Sequence, residues 1–127
     1  MSVSLIITTY NWKDALDLVL LSVRGQRRLP DEVIVADDGS RPDTLALVQA
    51  HARDFPVPLR HSWQDDIGFR AARSRNRAIA AASGDYVVLI DGDMVLHPDF
   101  IADHVWAAER GSFVQGMRVL TWPEASA

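Results

Sequence analysis

The chain has 127 residues, of which 48% are hydrophobic and none is cysteine. This length can bury the core of one domain but not of two, and the missing thiols exclude disulfides, thiolate metal sites and cysteine nucleophiles. The net charge of −4 at pH 7 argues against a nucleic-acid backbone or an anionic membrane as the main partner.

The first half of the chain alternates predicted strands with predicted helices. Residues 3–9 are a short β-rich apolar run that predicts a strand, and apolar side chains at helical spacing predict a helix after it. These side chains are Ala15, Leu16, Val19, Leu20 and Val23. A second strand is predicted over residues 32–36, and a helix follows over residues 43–53. The inward side chains expected in that helix are Leu45, Val48 and Ala52.

The third strand and helix are predicted in the middle of the chain. Residues 57–62 predict a strand, and the Ala-rich stretch at 70–83 predicts a helix. Gly84 follows this stretch and is expected to be the C′ residue that ends the helix.

The last third of the chain repeats the alternation. The stretch YVVLI at 86–90 is apolar without alternation, which predicts a strand covered on both faces. Pro98 and Asp99 suit the first turn of a fourth helix, and residues 113–121 predict a last strand. Strands that alternate with helices of this length predict an α/β fold with a mostly parallel sheet and helices on both faces.

Three polar clusters follow predicted strands at their carboxyl ends, where open α/β sheets bind their ligands. The clusters are Thr8, Thr9, Tyr10 and Asn11 after the first strand, Asp37, Asp38, Gly39 and Ser40 after the second, and Asp91, Gly92 and Asp93 after the fourth. Because the carboxyl ends of parallel strands meet at one edge, we expect the three clusters to share one rim.

Asp91 and Asp93 flank a glycine directly after a predicted buried strand. Two carboxylates held close together repel each other, and a hard divalent cation such as Mg²⁺ or Mn²⁺ relieves that repulsion. An ordinary Asp-Gly turn is the alternative interpretation of this tripeptide.

The stretch DDGS at 37–40 also has two interpretations. Its residues are typical of a turn or a helix cap, but a carboxylate here is equally suited to accept a hydrogen bond from a nucleobase imide.

The stretch at 63–79 carries acids in a loop and arginines at the start of a helix. Arg70 and Arg73 lie on one side of that helix start, which favours a pyrophosphate group. The alternative is a solvated basic face that is paired with nearby acids. The four tryptophans, Trp12, Trp63, Trp106 and Trp122, are assigned to core or edge packing.

Taken together, these segments resemble the nucleotide-sugar-binding half of family 2 glycosyltransferases, which have the GT-A fold. The matching stretches are SLIITTYN at 4–11, EVIVADDGS at 32–40, DIGFRAARSRNRAI at 66–79, GDYVVLIDGDMVLHPDFI at 84–101 and VQGMRV at 114–119. The stretch GFRAARSRN is most similar to members that build polysaccharides and to galactosyltransferase-type domains. The resemblance implies a Rossmann-like GT-A nucleotide-binding half.

The resemblance also implies a role for individual residues. The nucleotide-binding set would be Thr8, Tyr10, Asp38, Asp66, Arg70 and Asp91, and the metal site would be Asp93 with Asp91. The implied donor is a nucleotide-diphosphate sugar, a UDP-sugar, whose diphosphate leaving group is neutralised by Mn²⁺ or Mg²⁺. The implied reaction is an inverting transfer to a saccharide or lipid-linked acceptor with a carboxylate as general base.

The chain departs from this family pattern in its general base, which in the family follows the metal motif. The acids after Asp93 are predicted in a helix or a tail, and none is a credible base; they are Asp99, Asp103, Glu109 and Glu124. We therefore expect no catalytic residue in this chain. Residues 1–127 would form a single donor-binding domain, truncated before the acceptor-binding half.

Two other interpretations stay open. A response-regulator receiver needs an acidic pair after its first strand and a lysine after its last, whereas this chain has TTYN and only Lys13. A non-catalytic nucleotide-binding or oligomer-forming module would keep the acidic rim without any chemistry.

The sequence also carries expectations about self-association, membrane spans, location and partners. Self-association is expected if an edge of the sheet is exposed. No membrane span is expected, because no run of about 18 apolar residues occurs. A cytoplasmic location and no nucleic-acid partner complete the expectation.

Overall fold

The computed structural model describes residues 1–65 and 71–109, in which strands and helices alternate. In chain order these are β1 (Val3–Thr9), α1 (Lys13–Arg24), β2 (Glu32–Asp37), α2 (Pro42–Ala52), β3 (Leu59–Trp63), α3 (Ala71–Ala81), β4 (Tyr86–Asp91) and α4 (Phe100–Glu109). The predicted α/β class is therefore confirmed. The predicted last strand at 113–121 lies outside the described residues.

The described strands form one parallel sheet in the order β3-β2-β1-β4. The chain first builds outward from β1 through β2 to β3, and α3 then carries it back to β4 on the other side of β1. The direction of winding thus changes at β1, and crevices form at such switch points outside the carboxyl ends of the strands.

Helices cover both faces of the sheet, as predicted. Leu5 and Ile7 of β1 point into the larger core, which α1, α2 and α4 close from one side. Ile6 points to the opposite face, where Ala78 of α3 packs in a smaller core.

The prediction that β4 is covered on both faces is wrong for one of its residues. Val88 and Ile90 are buried in the larger core, but Leu89 on the opposite face is 46% exposed. The reason is the position of α3, which packs mainly against β2 and β1 and leaves this part of β4 open.

The predicted inward face of α2 is confirmed for Val48 but wrong for the other two of its three residues. Leu45 and Ala52 are exposed, and the buried side chains of α2 are Thr44, Val48 and His51. The helix is rotated because His51 is held from the side of α1: its Nε2 lies 2.7 Å from Asp17 Oδ1, and Arg24 Nε lies 3.3 Å from its Nδ1. A polar contact between helices therefore decides which face is buried.

Gly84 does not act as the C′ residue of α3, because the helix already ends at Ala81. A Cβ atom at Gly84 would lie 2.6 Å from Ser4 Oγ and 2.8 Å from Ser4 N. The glycine instead lets the chain enter β4 in close contact with the start of β1.

Glu32 holds the amino edge of the sheet together. Its carboxylate accepts hydrogen bonds from Ser4 Oγ at 2.5 Å, from Ser83 N at 2.6 Å and from Arg60 NH2 at 2.7 Å. Burial of this carboxylate favours its neutral form, but the hydrogen bonds to its charged form prevail and lower its pKa to about 2. A buried, ionised carboxylate thus joins three strands at the edge opposite the polar rim.

Candidate functional site

A cleft of about 240 Å³ opens at the carboxyl edge of the sheet, where β1, β2 and β4 end. Residues from all three predicted polar clusters line it, and among them are the predicted site residues Thr8, Tyr10, Asp38, Asp91 and Asp93. The expectation of one shared rim is therefore confirmed. The other two predicted site residues, Asp66 and Arg70, lie outside the described part of the chain.

The end of β4 is shaped by its contact with β1. Asp91 is the strand partner of Thr8, whose Oγ1 lies 3.2 Å from Asp91 Oδ1 and donates a hydrogen bond to it. A Cβ atom at Gly92 would collide with the carbonyl oxygen of Thr8, so only glycine fits this close approach. Met94 N then donates to Asp91 O at 3.1 Å and closes a turn. The stretch is thus an Asp-Gly turn, and its two aspartates also line the cleft.

Asp37 and Asp38 are adjacent in sequence but differ in surroundings. Asp37 is fully buried and accepts hydrogen bonds from Ser40 N at 2.8 Å and from His61 Nε2 at 2.7 Å. Gly39 has a φ of 89°, a value that glycine adopts easily. These contacts make Asp37 the residue that builds the turn, while Asp38 lines the cleft.

The carboxylate of Asp38 is oriented by Gln64, which follows β3. Gln64 Nε2 donates a hydrogen bond to Asp38 Oδ1 at 2.6 Å, and both residues are buried. Bonds to a charged acceptor are among the stronger hydrogen bonds in proteins. The Asp38 side chain is therefore held in place before any ligand arrives.

Hydrogen bonds also join the loops that follow β1 and β2. Asn11 N donates to Ser40 Oγ at 2.8 Å, and Arg41 N donates to Asn11 Oδ1 at 2.7 Å. Asn11 has a φ of 46°, a left-handed conformation that asparagine tolerates better than most residues. Trp63 Nε1 donates to Ser40 O at 3.1 Å and ties β3 to the same loop. This arrangement fixes one wall of the cleft, including Tyr10, which is 48% exposed.

Besides Ala36 of β2, two further cleft residues were missed by the sequence prediction. Trp12 is 58% exposed and lines the cleft, so its assignment to core or edge packing is wrong. Its place directly after TTYN was the available signal. Ser74 of α3 also lines the cleft, and the signal for it was a polar residue four positions before the inward Ala78.

A second, smaller cavity of about 130 Å³ lies beside the cleft and shares Thr8 and Asp91 with it. Arg75 of α3 lines this cavity and brings a guanidinium group to the same edge of the sheet. The rim therefore combines carboxylates with a group that favours anions.

The donor atoms of the rim suit a hard cation only in part. Among residues 1–65 and 71–109, no group of three or more His, Asp or Glu side chains is placed to hold a metal ion. Among the described residues that line the cleft, Asp91 and Asp93 offer carboxylate oxygens at the end of β4. This fits Mg²⁺ or Mn²⁺ ions, which bind through one or two carboxylates and complete their shells with water and phosphate oxygens.

Comparisons with known proteins identify related sequences and related folds. Hyaluronan synthase of Pasteurella multocida is 33% identical over 103 residues, which are 80% of this chain and 10% of that protein. S. aureus TarS in complex with UDP-GlcNAc superposes with a TM-score of 0.76 at 26% identity over 87% of this chain and 32% of its own. Glucosyl-3-phosphoglycerate synthase from Mycobacterium tuberculosis, in complex with Mn²⁺, UDP and glucosyl-3-phosphoglycerate, has a TM-score of 0.65 at 27% identity, over 84% of this chain and 39% of its own.

The matched region is a small part of these proteins. The chain spans 27% and 10% of the length of the first two curated relatives that it matches. The similarity to solved glycosyltransferases confirms the GT-A fold that the resemblance implies. The described part of the chain has no helix that is long and apolar enough to cross a membrane. The family model described as glycosyl transferase family 2 matches residues 4–121, and the chain belongs to that family.

Proposed function

We propose that this chain binds a nucleotide-diphosphate sugar, specifically a UDP-sugar, together with Mn²⁺ or Mg²⁺, as the donor-binding part of an inverting glycosyltransferase. The observation that carries the proposal is the cleft in which Asp38 and the Asp91–Asp93 pair line one continuous surface. Nucleotide-sugar donors have a base at one end and a charged diphosphate near the other, and the cleft offers a separate group for each.

Asp38 is the proposed partner of the base. An ionised carboxylate only accepts hydrogen bonds, so it selects a base edge with an N–H donor, such as the imide of uracil. Gln64 already holds this carboxylate, which lowers the cost of ordering it on binding. The exposed ring of Tyr10 offers an apolar face beside the base, and Thr8 lies between the base end and the metal end.

Asp91 and Asp93 are the proposed holders of the metal, with Asp93 as the main ligand and Asp91 turned toward the ribose or the metal. When bound, the ion would neutralise the diphosphate as it leaves. The Thr8 hydroxyl bonded to Asp91 keeps that carboxylate in its place at the rim. Asp66 near the nucleotide and Arg70 near the pyrophosphate lie outside the described residues and stay part of the proposal.

The general base and the acceptor site are proposed to lie outside this chain. Within the described residues, neither Asp99 nor Asp103 lines the cleft, and Asp99 is paired with Arg27 at 2.6 Å. The saccharide or lipid-linked acceptor and the transfer step would therefore belong to a longer protein. A non-catalytic nucleotide-binding module shares all these features, and only a transfer assay on the longer protein separates it from the enzyme.

Calorimetry with UDP, GDP and dTDP tests the proposed donor site. We expect UDP to bind in the presence of Mn²⁺ and at least tenfold more weakly without it, a difference of about 1.4 kcal/mol. Asp93→Ala should remove this dependence on Mn²⁺ because it removes the main ligand of the ion.

Asp43→Asn is the matched control, since Asp43 is an exposed acid of α2 that does not line the cleft. It should bind UDP as the unchanged chain does. Failure of all three nucleotides to bind, or an Asp93→Ala variant with full dependence on Mn²⁺, would contradict the proposal.

A further inference from the structure

Ser74 carries a buried hydroxyl without a hydrogen-bond partner among the described residues. The residue is 3% exposed, and yet it lines the cleft at the carboxyl edge of the sheet. Most buried hydroxyls in folded proteins have a partner, because leaving one without a hydrogen bond is costly. The exception at Ser74 therefore needs an explanation.

The packing of α3 gives no reason for a hydroxyl at this position. Ser74 lies four residues before Ala78, so both side chains are on the face of the helix that meets the sheet. Ala78 is buried against Ile6, Ile34 and Ala36 in the smaller core. An alanine at position 74 would continue this face of small side chains without an unsatisfied polar atom.

The position of Ser74 along α3 places its hydroxyl at the site. α3 connects the carboxyl end of β3 to the amino end of β4, so its first turns lie at the carboxyl edge of the sheet. Ser74 is in the first turn, and Ala78 is one turn deeper in the core. The inward face of α3 thus leaves the core and enters the cleft at Ser74, where Ala36 and Asp38 also line the wall.

We propose that the Ser74 hydroxyl is a further binding group for the nucleoside part of the donor. This inference rests on the proposed function of the cleft. Asp38 can only accept hydrogen bonds, whereas a serine hydroxyl donates one and accepts others. Ser74 therefore supplies the donor that a carbonyl or hydroxyl oxygen of the nucleoside requires, and the bound nucleoside supplies the partner that the hydroxyl lacks.

Ser74→Ala tests this role, with Thr44→Val as a matched control. Thr44 also has a buried hydroxyl without a partner among the described residues, but it belongs to α2 on the other face of the sheet and does not line the cleft. The two variants thus remove the same kind of group, one inside the site and one outside it.

Affinity is measured by calorimetry with UDP and with UMP in the presence of Mn²⁺, and stability by urea unfolding. We expect Ser74→Ala to weaken the binding of both nucleotides by the same factor, about three- to tenfold, as for one neutral hydrogen bond. Its stability should not fall, because no hydrogen bond is lost in the free protein. Thr44→Val should bind both nucleotides as the unchanged chain does.

Unchanged affinity of Ser74→Ala for UDP, while the original chain binds UDP, would overturn this inference and leave the proposed function standing. A loss seen with UDP but not with UMP would also overturn it, since the hydroxyl would then contact the diphosphate. Absence of binding to the original chain would overturn both proposals together.

Discussion

Asp37 and Asp38 are adjacent residues of the same type, but their side chains have different surroundings. The side chain of Asp37 points into the protein, where Ser40 N and His61 satisfy both of its oxygens and fix the turn. Asp38 follows the end of β2 and lines the cleft, with Gln64 bonded to one oxygen. The first aspartate is structural and the second is the candidate binding group, although both belong to the same DDGS motif.

Gln64→Leu should weaken the binding of UDP about tenfold, which is about 1.4 kcal/mol. The variant keeps the size of the side chain but removes the Nε2 donor that holds Asp38, so the carboxylate must be ordered when the base binds. Calorimetry with UDP and Mn²⁺ measures this loss.

Gln49→Leu is the control, because Gln49 is an exposed residue of α2 outside the cleft. Equal affinities of Gln64→Leu and Gln49→Leu for UDP would show that the bond to Asp38 has no role in binding.

At the scale of the elements, the two edges of the sheet carry different groups. The carboxyl edge holds the cleft, and the amino edge holds the buried carboxylate of Glu32, which accepts bonds from β1, from β3 and from the segment before β4. The carboxylate that stabilises the sheet and the proposed binding site therefore lie at opposite ends of the same strands. A change at the amino edge can alter the free energy of unfolding without touching the cleft.

Glu32→Gln should lower the stability at neutral pH by up to roughly 3 kcal/mol, and the loss should shrink in acid. The pKa of Glu32 is lowered from 4.5 to about 2, so its ionised form stabilises the fold above pH 4.5. This contribution is lost as the pH falls from 4.5 toward 2. Urea unfolding of both proteins at pH 7 and pH 3 measures the difference, and a difference that is the same at both values would exclude this cause.

The alternation of strands and helices could be predicted because it depends on local apolar periodicity. The inward face of α2 could not, because apolar residues surround the helix and the contacts of His51 with Asp17 and Arg24 decide its rotation. Gly84 was misassigned for the same reason, since its neighbour Ser4 is distant in sequence. Contacts between elements, which the periodicity does not contain, account for both errors.

The site was predictable to the extent that it depends on strand ends. The register that pairs Thr8 with Ala36 and with Asp91 brings the three polar clusters to one edge, as the parallel topology requires. Ser74 could not be assigned in this way, because it lies on α3 rather than at the end of a strand, whereas the position of Trp12 directly after TTYN was a usable signal. Whether a helix residue lines the cleft depends on how the helix packs against the sheet, which the local sequence pattern does not contain.

At the scale of the whole molecule, the described residues form a parallel α/β sheet with a cleft at the switch in winding, which is the proposed nucleotide site. The match covers 32% of the TarS chain, and the proposal assigns only donor binding to residues 1–127. The central claim is that nucleotide and metal meet at the carboxyl edge, between β1, β2 and β4.

Nuclear magnetic resonance of the labelled chain with UDP and substoichiometric Mn²⁺ tests this claim most directly, because the paramagnetic ion broadens the signals of nearby amides. We predict strong broadening of the amide signals of Gly92 and Asp93 that requires UDP, with little effect on Ser83 and Gly84 at the amino edge. Broadening centred on the amino edge, or no broadening at Gly92 and Asp93 with UDP present, would contradict the account.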